Sequence, residues 1–175
     1  QFIQSESIAI GNHVVPASQV GHVWVWNTAA NGIPQAQELA KAGYPTVLTF
    51  ADQTYFDLNY TSDIRERGWN WAAEFSDTQS ALSSALSANK VIASLDNIAA
   101  SNILGIEGAL WSENLNTYNT LIYMAIPKMA GLSEASWSLA NNITESEMVN
   151  WQSLVSRMGC GESTGFLTYL HRVFK

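Results

Sequence analysis

Cysteine is almost absent: Cys160 is the single thiol in 175 residues, so no internal disulfide can form and no redox compartment is legible from thiols. Three histidines, His13, His22 and His171, share no metal-ligand spacing with one another or with Cys160, which leaves the usual tetrahedral metal sets without donors. Charge is scarce as well. Only 13% of residues are charged, against about 25% in ordinary globular chains. The balance is acidic, 15 carboxylates against 8 Lys and Arg for a net charge of −7. With no Lys/Arg cluster to neutralise phosphates, nucleic acid is excluded as a partner. Uninterrupted apolar runs fall well short of the roughly 20 residues that cross a bilayer. Gln1 opens no basic, apolar, small-residue signal pattern, and the chain reads as starting inside a longer polypeptide.

What is present is a core-forming composition, 47% apolar and 11% aromatic, enough for one domain rather than a disordered chain. Residues 19–26 make a β-rich run holding Val20, Val23, Trp24, Val25 and Trp26. Pro34, placed at a first helical turn, with Ala36, Leu39, Ala40 and Ala42 before Gly43, predicts a short helix. Residues 46–50 return to β-branched and apolar types, so strand, helix and strand follow as in a βαβ unit. An aromatic-rich loop over 51–77 leads to a helix at 80–91. A third strand is expected at 103–111, where Gly105 and Gly108 would admit close neighbours. A long apolar helix kinked at Pro127 is expected over 117–137. Thr144 and Glu147 form a capping box ahead of a further amphipathic helix, and a terminal helix is expected over 164–174. Three strands alternating with helices predict a parallel sheet covered on both faces.

Function in such folds gathers at the carboxyl ends of strands. Those ends hold Trp26, then Tyr55 and Asp57, then Trp111 and Glu113. Indole faces beside carboxylates suit a sugar, whose ring has an apolar face and a rim of hydroxyls. The residues alone leave a plainer reading open, in which Trp26 and Trp111 are core aromatics, Tyr55 a turn residue and Asp57 a helix cap.

Four motifs in order bear on that choice: Tyr55-Phe56-Asp57; Glu66-Arg67-Gly68 with Trp71; Gly105-Ile106-Glu107-Gly108-Ala109-Leu110-Trp111-Ser112-Glu113; and Ile126-Pro127-Lys128-Met129 through Glu134 and Trp137. Over about residues 20–137 the chain resembles the last third of a family 20 glycoside hydrolase, and most nearly the bacterial chitobiases, which are β-N-acetylhexosaminidases. The resemblance implies an α/β fold, a partial (β/α)8 TIM barrel of about the last three β/α units with extra C-terminal helices. Residues 1–141 would be the C-terminal portion of the catalytic barrel and 142–175 a helical extension packed on it. Residues 1–18, which match nothing in the family, would be the connection leading out of the fifth unit.

Substrates implied by the resemblance are chitobiose and other N-acetylhexosaminides, cleaved with the sugar's own 2-acetamido oxygen as nucleophile. Tyr55 would be catalytic, donating to that oxygen. Trp26 and Trp111 would enclose the acetamido methyl and the ring face. Asp57 and Glu113 would accept from the 4- and 6-hydroxyls, and Trp71 would carry the leaving sugar. No cofactor or metal is implied. The family's adjacent Asp-Glu pair, which supplies the acid and orients the acetamide, has no counterpart, because no such dipeptide occurs in the chain. This piece is therefore expected to be inactive without the missing N-terminal part of the barrel. The parent enzyme is expected to be exported.

Two other classes stand beside this one: a carbohydrate-binding module without chemistry, and a nucleotide-binding α/β domain, which would need a Gly-rich phosphate loop that is not present. Glu107 is expected to be a buried structural carboxylate, and Arg65 and Arg67 to lock the loop through Asp63 or Glu66. Asn59-Tyr60-Thr61 and Asn142-Ile143-Thr144 fit glycosylation sequons. A slice of a barrel leaves two sheet edges and an apolar face unpartnered, so self-association is expected; a monodisperse monomer in light scattering would contradict it.

Overall fold

A computed structural model describes residues 2–4, 15–63, 65–66 and 68–138. Four parallel strands form one sheet in sequential order: β1 (Phe2–Gln4), β2 (His22–Val25), β3 (Thr46–Leu48) and β4 (Ile103–Ile106). Between and after them run α1 (Ala29–Lys41), α2 (Ala51–Thr54), α3 (Thr78–Ala93), α4 (Asn97–Ala100) and α5 (Tyr118–Ser138). Three of the strands were expected. β1 corrects the assignment of residues 1–18 as a connection, since Phe2, Ile3 and Gln4 pair with His22, Val23 and Trp24.

The core follows from the period-2 alternation of the strands. Val23 and Val25 of β2, with Leu48 of β3, are fully buried against Ala36 and Leu39 of α1 and Ala88 and Val91 of α3. His22, Trp24 and Val47, on the opposite face, are only partly buried. The expectation of helices on both faces is therefore wrong for the described residues. A strand order that never reverses, built with crossovers of one hand, puts every helix on the same side.

Helix boundaries also move for identifiable reasons. α1 begins five residues before Pro34, because the carboxylate of Asp52 in α2 accepts from the Ala29 amide at 2.8 Å and supplies the missing cap. Its end is as expected: Gly43 takes a φ of +86° and the Gly43 and Tyr44 amides close on Ala40 and Leu39. α3 starts at a capping box in which Asp77 accepts from the Ser80 amide at 2.8 Å and Ser80 Oγ accepts from the Asp77 amide at 3.2 Å. α3 and α5 cross closely enough at Gly131 that a Cβ there would stand 2.1 Å from the Thr78 carbonyl.

β4 ends at Ile106, earlier than expected, and carries a bulge. Thr46 pairs with Ile103 but Val47 with Gly105, so Leu104 is an extra residue and Gly105 absorbs the kink with a φ of +151°. Gly105 thus serves conformation rather than close approach. Gly108 does serve approach, since a Cβ there would meet the Phe56 ring at 2.7 Å. The expected helices beyond residue 138, the extension at 142–175 and the sequon at Asn142 lie outside the described residues.

Candidate functional site

The carboxyl ends of β2, β3 and β4 open onto a cleft of about 500 Å³ lined by Trp26, Tyr55, Asp57, Trp69, Trp71, Trp111 and Glu113. All six residues singled out from the sequence lie in it. Trp26 follows β2, Tyr55 and Asp57 follow α2, and Trp111 and Glu113 follow β4. Trp69 was missed. Its signal was its place in the sequence, two residues before Trp71 in the same aromatic loop.

The floor is built by backbone pairing. Phe56 N–H donates to Ala109 O at 2.8 Å and Ala109 N–H to Thr54 O at 2.9 Å, so the chain after β3 is tied to the chain after β4. On the other side the Asp57 carbonyl accepts from Trp69 N–H at 3.0 Å, and Asn59 N–H donates to Trp69 O at 3.0 Å. Gly68 makes that second seam possible. Its φ is +123°, and a Cβ there would stand 2.6 Å from Asn59 N and 2.8 Å from the Asp57 carbonyl, so only glycine fits.

Tyr55 is buried at the centre of the aromatic set. Its ring lies 5.8 Å from Trp71 at 74° and 5.7 Å from Trp111 at 58°, while Trp71 stands 6.1 Å from Trp26 at 67°. These are edge-to-face and tilted contacts rather than parallel stacks. Trp71 is 54% exposed, whereas Asp57 is 1% exposed. The Asp57 carboxylate accepts from the Trp111 amide at 3.4 Å. Burial raises its pKa, with the charge of Glu113 pushing the same way, while backbone hydrogen bonds and the charge of Lys128 oppose the rise. Among the described residues no Lys or Arg lines the cleft.

Residues assigned elsewhere resolve as follows. Glu107 is not the buried strand carboxylate expected: it lies just past β4, is exposed, and accepts from Trp24 Nε1 at 3.1 Å. Strand β4 ends too early to enclose it. Arg65 pairs with Asp63 at 2.6 Å on the surface, as expected of a loop lock; Arg67 lies outside the described residues. Asn59 of the first sequon is buried, out of reach of a glycan-transferring enzyme in this fold. Among the described residues no group of three His, Cys, Asp or Glu could hold a metal ion, and no helix is long and apolar enough to cross a membrane.

The profile of the glycosyl hydrolase family 20 catalytic domain matches residues 5–140. The chain belongs to that family. The family 20 match begins well before residue 20, so it takes in most of the segment the sequence left unmatched. A β-hexosaminidase of Vibrio vulnificus is 35% identical over 133 residues, which cover 67% of this chain and 16% of that protein. The N,N'-diacetylchitobiase of Vibrio harveyi is 26% identical over 122 residues, covering 63% of this chain and 14% of that protein. The chain therefore spans about a sixth of these relatives. Among solved structures, the Streptomyces plicatus N-acetyl-β-hexosaminidase in complex with thio-NAglucal superposes with a TM-score of 0.55 at 28% identity, over 71% of this chain and 24% of that one. The Vibrio harveyi exo β-N-acetylglucosaminidase in complex with N-acetylglucosamine gives a TM-score of 0.63 at 22% identity, over 87% and 22%, a likeness of fold.

Proposed function

We propose that this chain is a portion of the (β/α)8 barrel of a β-N-acetylhexosaminidase, and that its cleft is one wall of the pocket for a terminal, non-reducing N-acetylhexosamine of chitooligosaccharides. The observation that carries the reading is the convergence of Trp26, Tyr55, Asp57, Trp71, Trp111 and Glu113 on one cleft at the carboxyl ends of the strands. Tyr55 donates its hydroxyl to the acetamido oxygen, where charge grows as that oxygen attacks the anomeric carbon. Trp26 and Trp111 enclose the acetamido methyl and the ring face, and Trp71 carries the leaving sugar. Asp57, with its amide partner fixed, and the exposed Glu113 accept from the 4- and 6-hydroxyls and so select a chain end. The acid that protonates the leaving oxygen comes from outside this chain, which holds no Asp-Glu dipeptide.

The test offers a chromogenic N-acetylglucosaminide to the chain alone and to the chain joined to an upstream barrel segment that carries an Asp-Glu pair. Turnover is expected only from the second, and Tyr55→Phe should lower it about 100- to 1,000-fold. Hydrolysis by the chain alone that survives loss of both Tyr55 and Glu113 would refute the assignment. The missing acid favours one second reading, a binding module that uses the same indoles without chemistry. In that case the completed barrel stays inactive while chitobiose still quenches tryptophan emission.

A further inference from the structure

We propose that Lys128, next to Pro127 in α5, is the positioning residue that fixes Asp57 in the cleft by gripping the peptide groups on either side of it. Its Nζ donates to the Phe56 carbonyl at 3.0 Å and to the Leu58 carbonyl, the two carbonyls that flank Asp57 in the chain. The carbonyl between them, that of Asp57 itself, is turned the other way, to Trp69 N–H at 3.0 Å and Asn114 Nδ2 at 3.4 Å. One ammonium therefore sets the alternation of three successive peptide planes, and with it the direction of the Asp57 side chain toward the Trp111 amide. The functional consequence rests on reading the cleft as a hexosamine pocket; the positioning itself does not.

The helix side of this latch is also built for it. Pro127 has no N–H to donate to the carbonyl of Tyr123 four residues back. The Tyr60 hydroxyl is shared between that carbonyl at 2.9 Å and the Met124 carbonyl at 3.0 Å. The Tyr60 ring in turn lies 4.2 Å from Lys128 Nζ, a cation over an aromatic face. Loop and helix are thus joined twice, around a lysine that is wholly buried. Burying an ammonium is costly, and here that cost is set against the two buried carbonyls, of Phe56 and Leu58, that would lose their donor without it. Burial lowers the pKa of Lys128 to about 7, and the carboxylates of Asp57, Asp77 and Glu66 only partly offset that fall. A charge kept at such a place is explained by what it holds.

The experiment uses the 175-residue chain labelled with 5-fluorotryptophan, comparing native, Lys128→Met, Lys128→Arg and Tyr60→Phe proteins by fluorine NMR and urea unfolding. Lys128→Met is expected to unfold cooperatively at a lower urea midpoint, since two buried carbonyls lose their donor, while moving the Trp111 and Trp69 resonances and leaving Trp24 in place. Lys128→Arg, which can still donate to both carbonyls, should restore the native positions, and Tyr60→Phe should move the same two resonances less far. Folded Lys128→Met with native Trp111 and Trp69 resonances overturns the proposal. Should that variant not fold, unmoved resonances in Tyr60→Phe overturn it instead. Titration with N-acetylglucosamine separates the two layers: no response from the native chain counts against the sugar reading alone. A native response that is not weakened about tenfold in a folded Lys128→Met protein overturns the consequence for binding.

Discussion

The floor and the rim of the cleft are built on opposite principles. At the floor, Tyr55, Asp57 and Leu58 are buried, and the Phe56 and Asn59 amides and the Phe56, Asp57 and Leu58 carbonyls are paired with Ala109, Trp69 or Lys128. At the rim, Trp69, Trp71 and Trp111 stand half in solvent, and Trp71 and Trp111 meet the Tyr55 ring edge-on and tilted. Groups that must meet hydroxyls at hydrogen-bond distance are held by many bonds, because a small displacement forfeits them. Groups that offer only a flat apolar face tolerate slack, since a ring contact is broad and weakly directional.

The sharpest way to break this contrast is at the seam that carries the floor. Gly68→Ala forces a Cβ to 2.6 Å from Asn59 N at a φ of +123°, and both clashing partners are backbone. A loss of about 2–4 kcal/mol in urea unfolding is expected, and a neutral result would mean the seam can shift without harm. Next comes the pH response of Lys128. Unfolded, its amine keeps a proton up to about 10.5, whereas in the fold it gives that proton up near 7. Between those values the unfolded chain binds a proton that the folded chain does not, so stability should rise with pH across the window, and the full penalty applies below 7. A gain of roughly a few kcal/mol between pH 6.5 and 9.5 is expected from this group, read from urea midpoints, and Lys128→Met should flatten the curve. The smallest effect belongs to the rim. Trp71→Ala should cost less than about 1 kcal/mol of stability while weakening the response to chitobiose by about 1 kcal/mol. Equal losses in both would place Trp71 with the floor.

Legibility in the sequence divides along the same line. Strand ends, aromatic spacing and the two carboxylates are local signals, and they led to six of the seven residues lining the cleft. β3 and α5 were found for the same reason, a β-branched run and an apolar period that each lie within one segment. What escaped depends on distant partners. The start of α1 could not be read because its cap is Asp52, and Pro34 offered a false beginning. β1 is only three residues long and is a strand by virtue of its pairing with His22, Val23 and Trp24. Lys128 appeared in the sequence only as a member of the fourth motif, with no role, because the carbonyls of Phe56 and Leu58 that it meets lie about 70 residues away in the chain.

The Asp52 cap has a consequence for the order in which the molecule can be made. The first turn of α1 obtains a partly buried acceptor from a residue 23 positions later, so until α2 has been synthesised the start of α1 lacks that cap. A nascent chain paused before α2 would carry an open helix end that only residues still to come can close.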